Sequence, residues 1–173
     1  EESLETMVRL REQGKIRYIG VSNFNVDQLQ EASGIASFHS NQPRYNMFHR
    51  KIEAEDILFC EKTGIGILAH SPLAKGLLTG RYDSTHTFSN DDERFDRPQF
   101  QGELFARYLA VADELKMVAL DMGISMVQLA IAWILRLPPV TCVLVGAKNP
   151  KQVVEHEGAA EIVISQDELV LIE

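Results

Sequence analysis

The chain has 173 residues, 45% of them hydrophobic and 24% charged, with a formal net charge of −8 and a pI near 5.1. That composition suits one globular domain with a sizeable core, and its acidic balance argues against a nucleic-acid partner, since no run of Lys and Arg offers a patch for phosphates. The longest strongly apolar stretch, Met126 to Leu137, is interrupted by Gln128 and Arg136 and is too short to cross a bilayer.

In chain order, helix and strand signals alternate. Leu4, Met7, Val8 and Leu10 form a helical stripe that Gly14 closes. Ile16 to Val21 reads as a short buried strand. Asn25 caps a helix over Val26 to Ser33, with Gln28 placed for a capping box. A second strand ends near Asn41-Gln42, where Pro43 stops it. Ile52 to Lys62 reads as helix, ended by Gly64, and Ile65 to Ala69 as a third strand, apolar on both faces. Periodicity then disappears from Tyr82 to Gln101, a loop of a length usually tied to function or mobility. Helices follow over roughly 103–121 and 125–137, the second capped by Ser125 and stopped by Pro138-Pro139. Val140 to Val145 is a fourth strand, and Asn149-Pro150 opens another helix. Both termini read as cuts through a larger protein.

Strict alternation, with strands too apolar to face water on either side, predicts a parallel α/β sheet. Periodicity alone leaves two architectures open, a small doubly wound sheet and half of a (β/α)8 barrel. Polar residues follow three strands in similar places: Ser22-Asn23, Asn41-Gln42 and His70-Ser71. Ligands of parallel α/β proteins bind at that edge, and amides and hydroxyls suit a carboxamide. The letters Gly64-Ile65-Gly66-Ile67-Leu68-Ala69 spell a dinucleotide fingerprint, but a helix precedes them where a strand is required. The five histidines show no metal-ligand spacing, so no metal is expected. Asp91-Asp92-Glu93 reads as a solvated loop run, and Cys60 and Cys142 as core residues of a reduced, cytoplasmic protein.

Gly14-Lys15-Ile16-Arg17-Tyr18-Ile19-Gly20-Val21-Ser22-Asn23-Phe24 resembles the signature of the aldo-keto reductases. Asn41-Gln42 with Tyr45-Asn46, Ser71 through Tyr82, and Val145-Gly146-Ala147-Lys148 with Gln152 and Glu155 resemble the same family, in its order and approximate spacing. Phe100 to Phe105 looks most like its bacterial general-stress and inositol-operon branch. The resemblance implies a (β/α)8 TIM barrel of which residues 1–173, as one partial domain, supply the C-terminal half and its fifth to eighth strands. It implies NADP(H) as cofactor. By position, Ser22, Asn23 and Gln42 would hold the nicotinamide carboxamide, and His70 stands where the family usually stacks an aromatic ring. Ser71, Pro72, Leu73, Gly76, Leu77 and Arg81 would wrap the pyrophosphate. Gly146 and Lys148 would take the 2′-phosphate, and Gln152, Glu155 and His156 the adenosine, His156 replacing a common Asn.

The family's catalytic Tyr, Lys, Asp and His belong to strands earlier than those matched here, so no residue is assigned a catalytic role. The resemblance implies an oxidoreductase reducing aldehydes and ketones, with this chain inactive alone. A non-catalytic NADP(H)-binding module, akin to a channel auxiliary subunit or a redox sensor, is the alternative; a domain with no ligand is a third. Partners expected are a small carbonyl substrate and, through open barrel edges, a second copy of the chain.

Overall fold

A computed structural model describes residues 2–173. Helix α1 (Glu2–Glu12) ends before Gly14, whose φ of +70° lets the chain reverse into the first strand. That strand, β1 (Gly20–Ser22), is shorter than the apolar run predicted. Ile16 to Tyr18 approach it as irregular chain, with the Tyr18 ring lying edge-on against His39. Helix α2 (Val26–Ser33) starts with the predicted capping box: Asn25 Oδ1 accepts from the Gln28 amide, and Gln28 Oε1 accepts from the Asn25 amide. β2 (Ser40–Gln42) follows.

The predicted helix from Ile52 is split. A 3-10 turn (Lys51–Glu53) precedes α3 (Asp56–Thr63), because Glu55 at their junction leaves helical geometry, with φ −140°. Gly64 caps α3 in the left-handed conformation, and β3 (Gly66–His70) begins two residues later. The fingerprint letters therefore span a helix cap and a strand. A kinked 3-10 segment (Ala74–Thr79) leads into the loop, which ends in a 3-10 turn (Pro98–Phe100). Then come α4 (Gly102–Asp121), α5 (Met126–Leu135), β4 (Val140–Leu144), α6 (Pro150–Glu157) and α7 (Gln166–Ile172).

All four strands are parallel and pair in the order β1-β2-β3-β4. Each strand lies beside the next in sequence, as in a barrel wall; a doubly wound sheet reverses direction at its switch point. α5 is buried around most of its circumference, with Trp133 and Ile134 at 0% exposure. It joins two apolar clusters. One lies behind the strands around Val21, Ile67, Ala69 and Trp133, and the other gathers Leu77, Leu78, Phe100, Phe105 and Leu115. Among the described residues no single helix is long and apolar enough to cross a membrane.

The two faces of the sheet differ, contrary to the expectation that both are apolar. Val21, Asn41, Ile67 and Ala69 are buried toward the helices, whereas alternate positions are exposed or half-buried. That second row is small or polar at most positions, with Leu68 and Leu144 as its larger apolar members. A Cβ at Gly20 would lie 2.5 Å from Ser40 Oγ, and one at Gly66 would lie 3.1 Å from the Thr141 side chain. Ser22, Gln42 and His70 continue the row to the C-terminal edge. The apolar runs misled because their glycines face one side and their β-branched residues, Ile19, Val21, Ile65 and Ile67, the other.

Candidate functional site

The C-terminal ends of β1, β2 and β3 are tied together by a hydrogen-bond chain whose directions can be assigned from one fixed end. The Gln42 carbonyl only accepts, so the Ser22 hydroxyl, 3.1 Å away, donates to it. Ser22 Oγ therefore accepts from Asn23 Nδ2 at 2.9 Å. This leaves Asn23 Oδ1 to accept from the Arg44 amide at 3.3 Å and from His70 Nε2 at 3.0 Å. His70 thus carries its proton on Nε2, and its Nδ1 accepts from the Ser71 hydroxyl at 2.9 Å. Burial, with the Arg44 charge in second place, lowers the His70 pKa below the ordinary 6.5, consistent with a neutral ring.

Asn23 and Ser71 occupy equivalent turns after β1 and β3, and both adopt left-handed backbone, with φ of +58° and +59°. Asn41, by contrast, is fully buried. It accepts weakly from the Phe24 amide at 3.4 Å and donates to the Phe24 carbonyl at 2.9 Å, so it fixes the β1–α2 turn and faces no ligand. Asn46, equally buried, donates to the Ser71 carbonyl at 2.8 Å and holds the β3 exit.

Beyond Ser71 the edge opens into a cavity of about 540 Å³. Ser71, Pro72, Leu73, Gly76 and Arg81 line it from the segment after β3, and Gly146, Lys148, Gln152, Glu155 and His156 from β4 and α6. Leu77 does not line it; its side chain is 3% exposed in the second core cluster, because the 3-10 kink turns it inward. Ser22, Asn23, Gln42 and His70 also lie outside this lining, in the hydrogen-bonded row that meets it at Ser71.

Backbone geometry shapes the cavity floor. Ala74, Lys75 and Gly76 have positive φ in succession, and a Cβ on Gly76 would meet the Tyr82 hydroxyl at 2.6 Å. Across the cavity, Asn149 caps α6 by accepting from the Gln152 amide at 3.1 Å, while Gln152 Oε1 accepts from the Lys148 amide at 2.6 Å. Lys148 is thereby set at the N-terminus of α6, where helix dipole and ammonium share a sign.

Several lining residues escaped sequence reasoning: Lys75, Thr79, Tyr82, Glu93 and Arg94. The acidic run is not simply solvated. Glu93 pairs with Lys75 at 2.6 Å, and Asp92 pairs with Arg94, which holds the Asp92 carboxyl well below the usual range. Arg94 also donates to the Tyr82 hydroxyl and the Lys75 carbonyl, and its guanidinium lies 4.7 Å from the Phe88 ring centre. Loop 82–101 is therefore folded back over the cavity. Arg44 was missed too: its Nε is buried with no hydrogen-bond partner among the described residues.

Chemically, the cavity combines four cations, Lys75, Arg81, Arg94 and Lys148, with only Glu93 and Glu155 as anions. That donor set fits phosphates. Tyr45 is unsuited to proton donation into the site. It is 0% exposed, donates to Glu53 at 2.6 Å, and burial raises its pKa far above the ordinary 10.0.

Known proteins resemble the chain in sequence and fold. The chain is 39% identical over 153 residues to the aldo-keto reductase YhdN of Bacillus subtilis, covering 88% of this chain and 46% of YhdN. The glycerol dehydrogenase structure from Gluconobacter oxydans superposes with a TM-score of 0.93 at 35% identity, covering 99% of this chain and 52% of that one. An aldo-keto reductase from Klebsiella pneumoniae, solved in complex with NADPH, gives a TM-score of 0.74 at 28% identity, with 99% and 52% coverage. The chain spans about half the length of the relatives it matches. With the family match running over residues 1–173, the chain belongs to the aldo/keto reductase family.

Proposed function

We propose that this chain is the cofactor-holding part of an NADP(H)-dependent reductase that converts aldehydes and ketones to alcohols. The observation that carries the reading is the meeting, at one sheet edge, of an amide-and-hydroxyl row with a cation-lined cavity. In this reading Ser22, Asn23 and Gln42 hold the carboxamide, with His70 beside them. Asn23 spends its oxygen on Arg44 and His70 and one N–H on Ser22, so its remaining N–H faces outward as a donor. Ser71, Pro72, Leu73, Gly76 and Arg81 take the pyrophosphate, while Leu77 packs in the core. Gly146 and Lys148 take the 2′-phosphate, and Gln152, Glu155 and His156 the adenosine.

Bound NADPH supplies the hydride, and the chain's own residues bind and orient it. No proton donor for a carbonyl oxygen is assigned here, so the chain by itself is proposed to bind without turnover. Within the family, the Phe100 to Phe105 stretch favours the bacterial general-stress and inositol-operon branch.

Fluorescence titration with NADPH and NADH tests the reading. Saturable NADPH binding is expected, weakened on the order of tenfold or more by Lys148→Ala, with NADH affected far less. Absence of NADPH binding, or equal loss for both nucleotides, refutes it.

A further inference from the structure

We propose that His70 makes the site selective for the oxidation state of its nucleotide: protonation of its ring disfavours the oxidised, cationic nicotinamide relative to the reduced, neutral one. This rests on the cofactor reading above and adds a regulatory role for a residue whose position alone was assigned.

His70 Nε2 reaches Asn23 Oδ1 at 3.0 Å, and Asn23 presents its free N–H to the carboxamide. The imidazole is thus one side chain away from the carboxamide, which is bonded directly to the nicotinamide ring. Asn23, Ser22 and Gln42 carry no charge that titrates. Among the described residues, the titratable or charged neighbours of His70 are Arg44 and His49. Arg44 stays protonated throughout, so its field on the nucleotide does not change with pH. His49 senses His70 and is itself held below its ordinary pKa, first by burial and then by Arg44 and Lys51.

The assigned tautomer fixes what protonation does. The neutral ring accepts the Ser71 hydroxyl proton at Nδ1. A second ring proton at Nδ1 converts that nitrogen to a donor, so Ser71 accepts from it and turns its own hydrogen toward the cavity. Nε2 keeps its bond to Asn23. Protonation therefore leaves the carboxamide grip in place and adds one positive charge near it. The Ser71 reorientation acts on phosphates, which both oxidation states share. The charge alone distinguishes them, since only the oxidised ring is cationic.

The test measures the dissociation constants of NADP+ and NADPH for the chain by calorimetry, between about pH 8 and about pH 5.5. Their ratio cancels the titration of the 2′-phosphate, which acts on both forms alike. In the wild type, acidification is expected to weaken NADP+ relative to NADPH by about five- to tenfold, and the shift vanishes in His70→Gln. A pH-independent ratio with both nucleotides bound overturns this inference and leaves the cofactor reading intact. A shift that persists in His70→Gln overturns it in favour of another group, His49 first. Failure of either nucleotide to bind at any pH overturns the cofactor reading and this inference with it. Should His70→Gln not fold, the His70 ring is titrated by nitrogen NMR in the wild type. A midpoint coinciding with that of the affinity ratio supports the role, and separate midpoints reject it.

Discussion

The Lys75 ammonium meets the Glu93 carboxylate at 2.6 Å, joining the strained segment after β3 to the loop that folds over the cavity. Glu93 is 62% exposed and also reaches Arg97, so the pair adds little to global stability, under about 1 kcal/mol. Its effect is local. It holds a cation at the cavity wall in a neutralised state.

Glu93→Gln is expected to tighten NADPH binding a few-fold, on the order of 1 kcal/mol or less, because Lys75 is released toward phosphate. Lys75→Ala is expected to weaken binding instead. Opposite signs in one titration series support this account; weakening by both variants shows that the pair closes the loop and does not restrain Lys75.

Gly76→Ala tests the cavity floor. At φ +103°, with Tyr82 Oη 2.6 Å from the added Cβ, the substitution strains the backbone and displaces a ring. A loss of about 1–3 kcal/mol in urea unfolding is expected. The double variant with Tyr82→Ala should recover the steric part alone, so a strictly additive cycle contradicts the contact.

These two sites also show what the amino-acid order conveys and what it hides. The caps at Asn25, Ser125 and Gly64 were legible because each involves partners within a few residues. The polar strand ends were legible because parallel sheets place such residues at one edge. The contacts of Arg94 with Tyr82 and Lys75 were not, since they need a loop to double back. Nor was the division of β3 into a buried face and a more open face of Gly66, Leu68 and His70, where Thr141 arrives from β4 against Gly66. Asn41 and Leu77 sit inside recognisable motifs, yet burial gives Asn41 a structural role and turns the Leu77 side chain into the core.

Tyr45 predicts an alkaline weakness. Its folded-state pKa is raised, chiefly by burial and then by the bond to Glu53, so the native state holds the proton more tightly than the unfolded chain. That contribution is complete below the ordinary 10.0 and is lost as pH rises above it, at about 1.4 kcal/mol per pH unit at most. Tyr45→Phe should lower neutral-pH stability by about 1–3 kcal/mol and remove this part of the slope. Parallel urea-unfolding curves for both proteins above pH 10.0 would contradict the assignment.

Self-association is expected to be weak. β1 and β4 each pair on one side only, which leaves two ladder edges for a second copy. The open face between them carries Gly20, Ser40 and Gly66, with Leu68 half-buried among them, so it offers limited apolar area to bury. Sedimentation should show a dimer that dissociates on dilution; a monomer at every concentration discards the proposal.

The pairing of each strand with its immediate successor has a kinetic consequence. The first two ladders close over short stretches of chain, by register Gly20 to Ser40 and Ser40 to Gly66, whereas the third joins Ile67 to Val140 across the loop and two helices. β1, β2 and β3 can therefore pair as synthesis delivers each unit, while β4 must wait for the long segment that separates it from β3. The cavity, which joins the β3 exit to α6, would therefore be completed late.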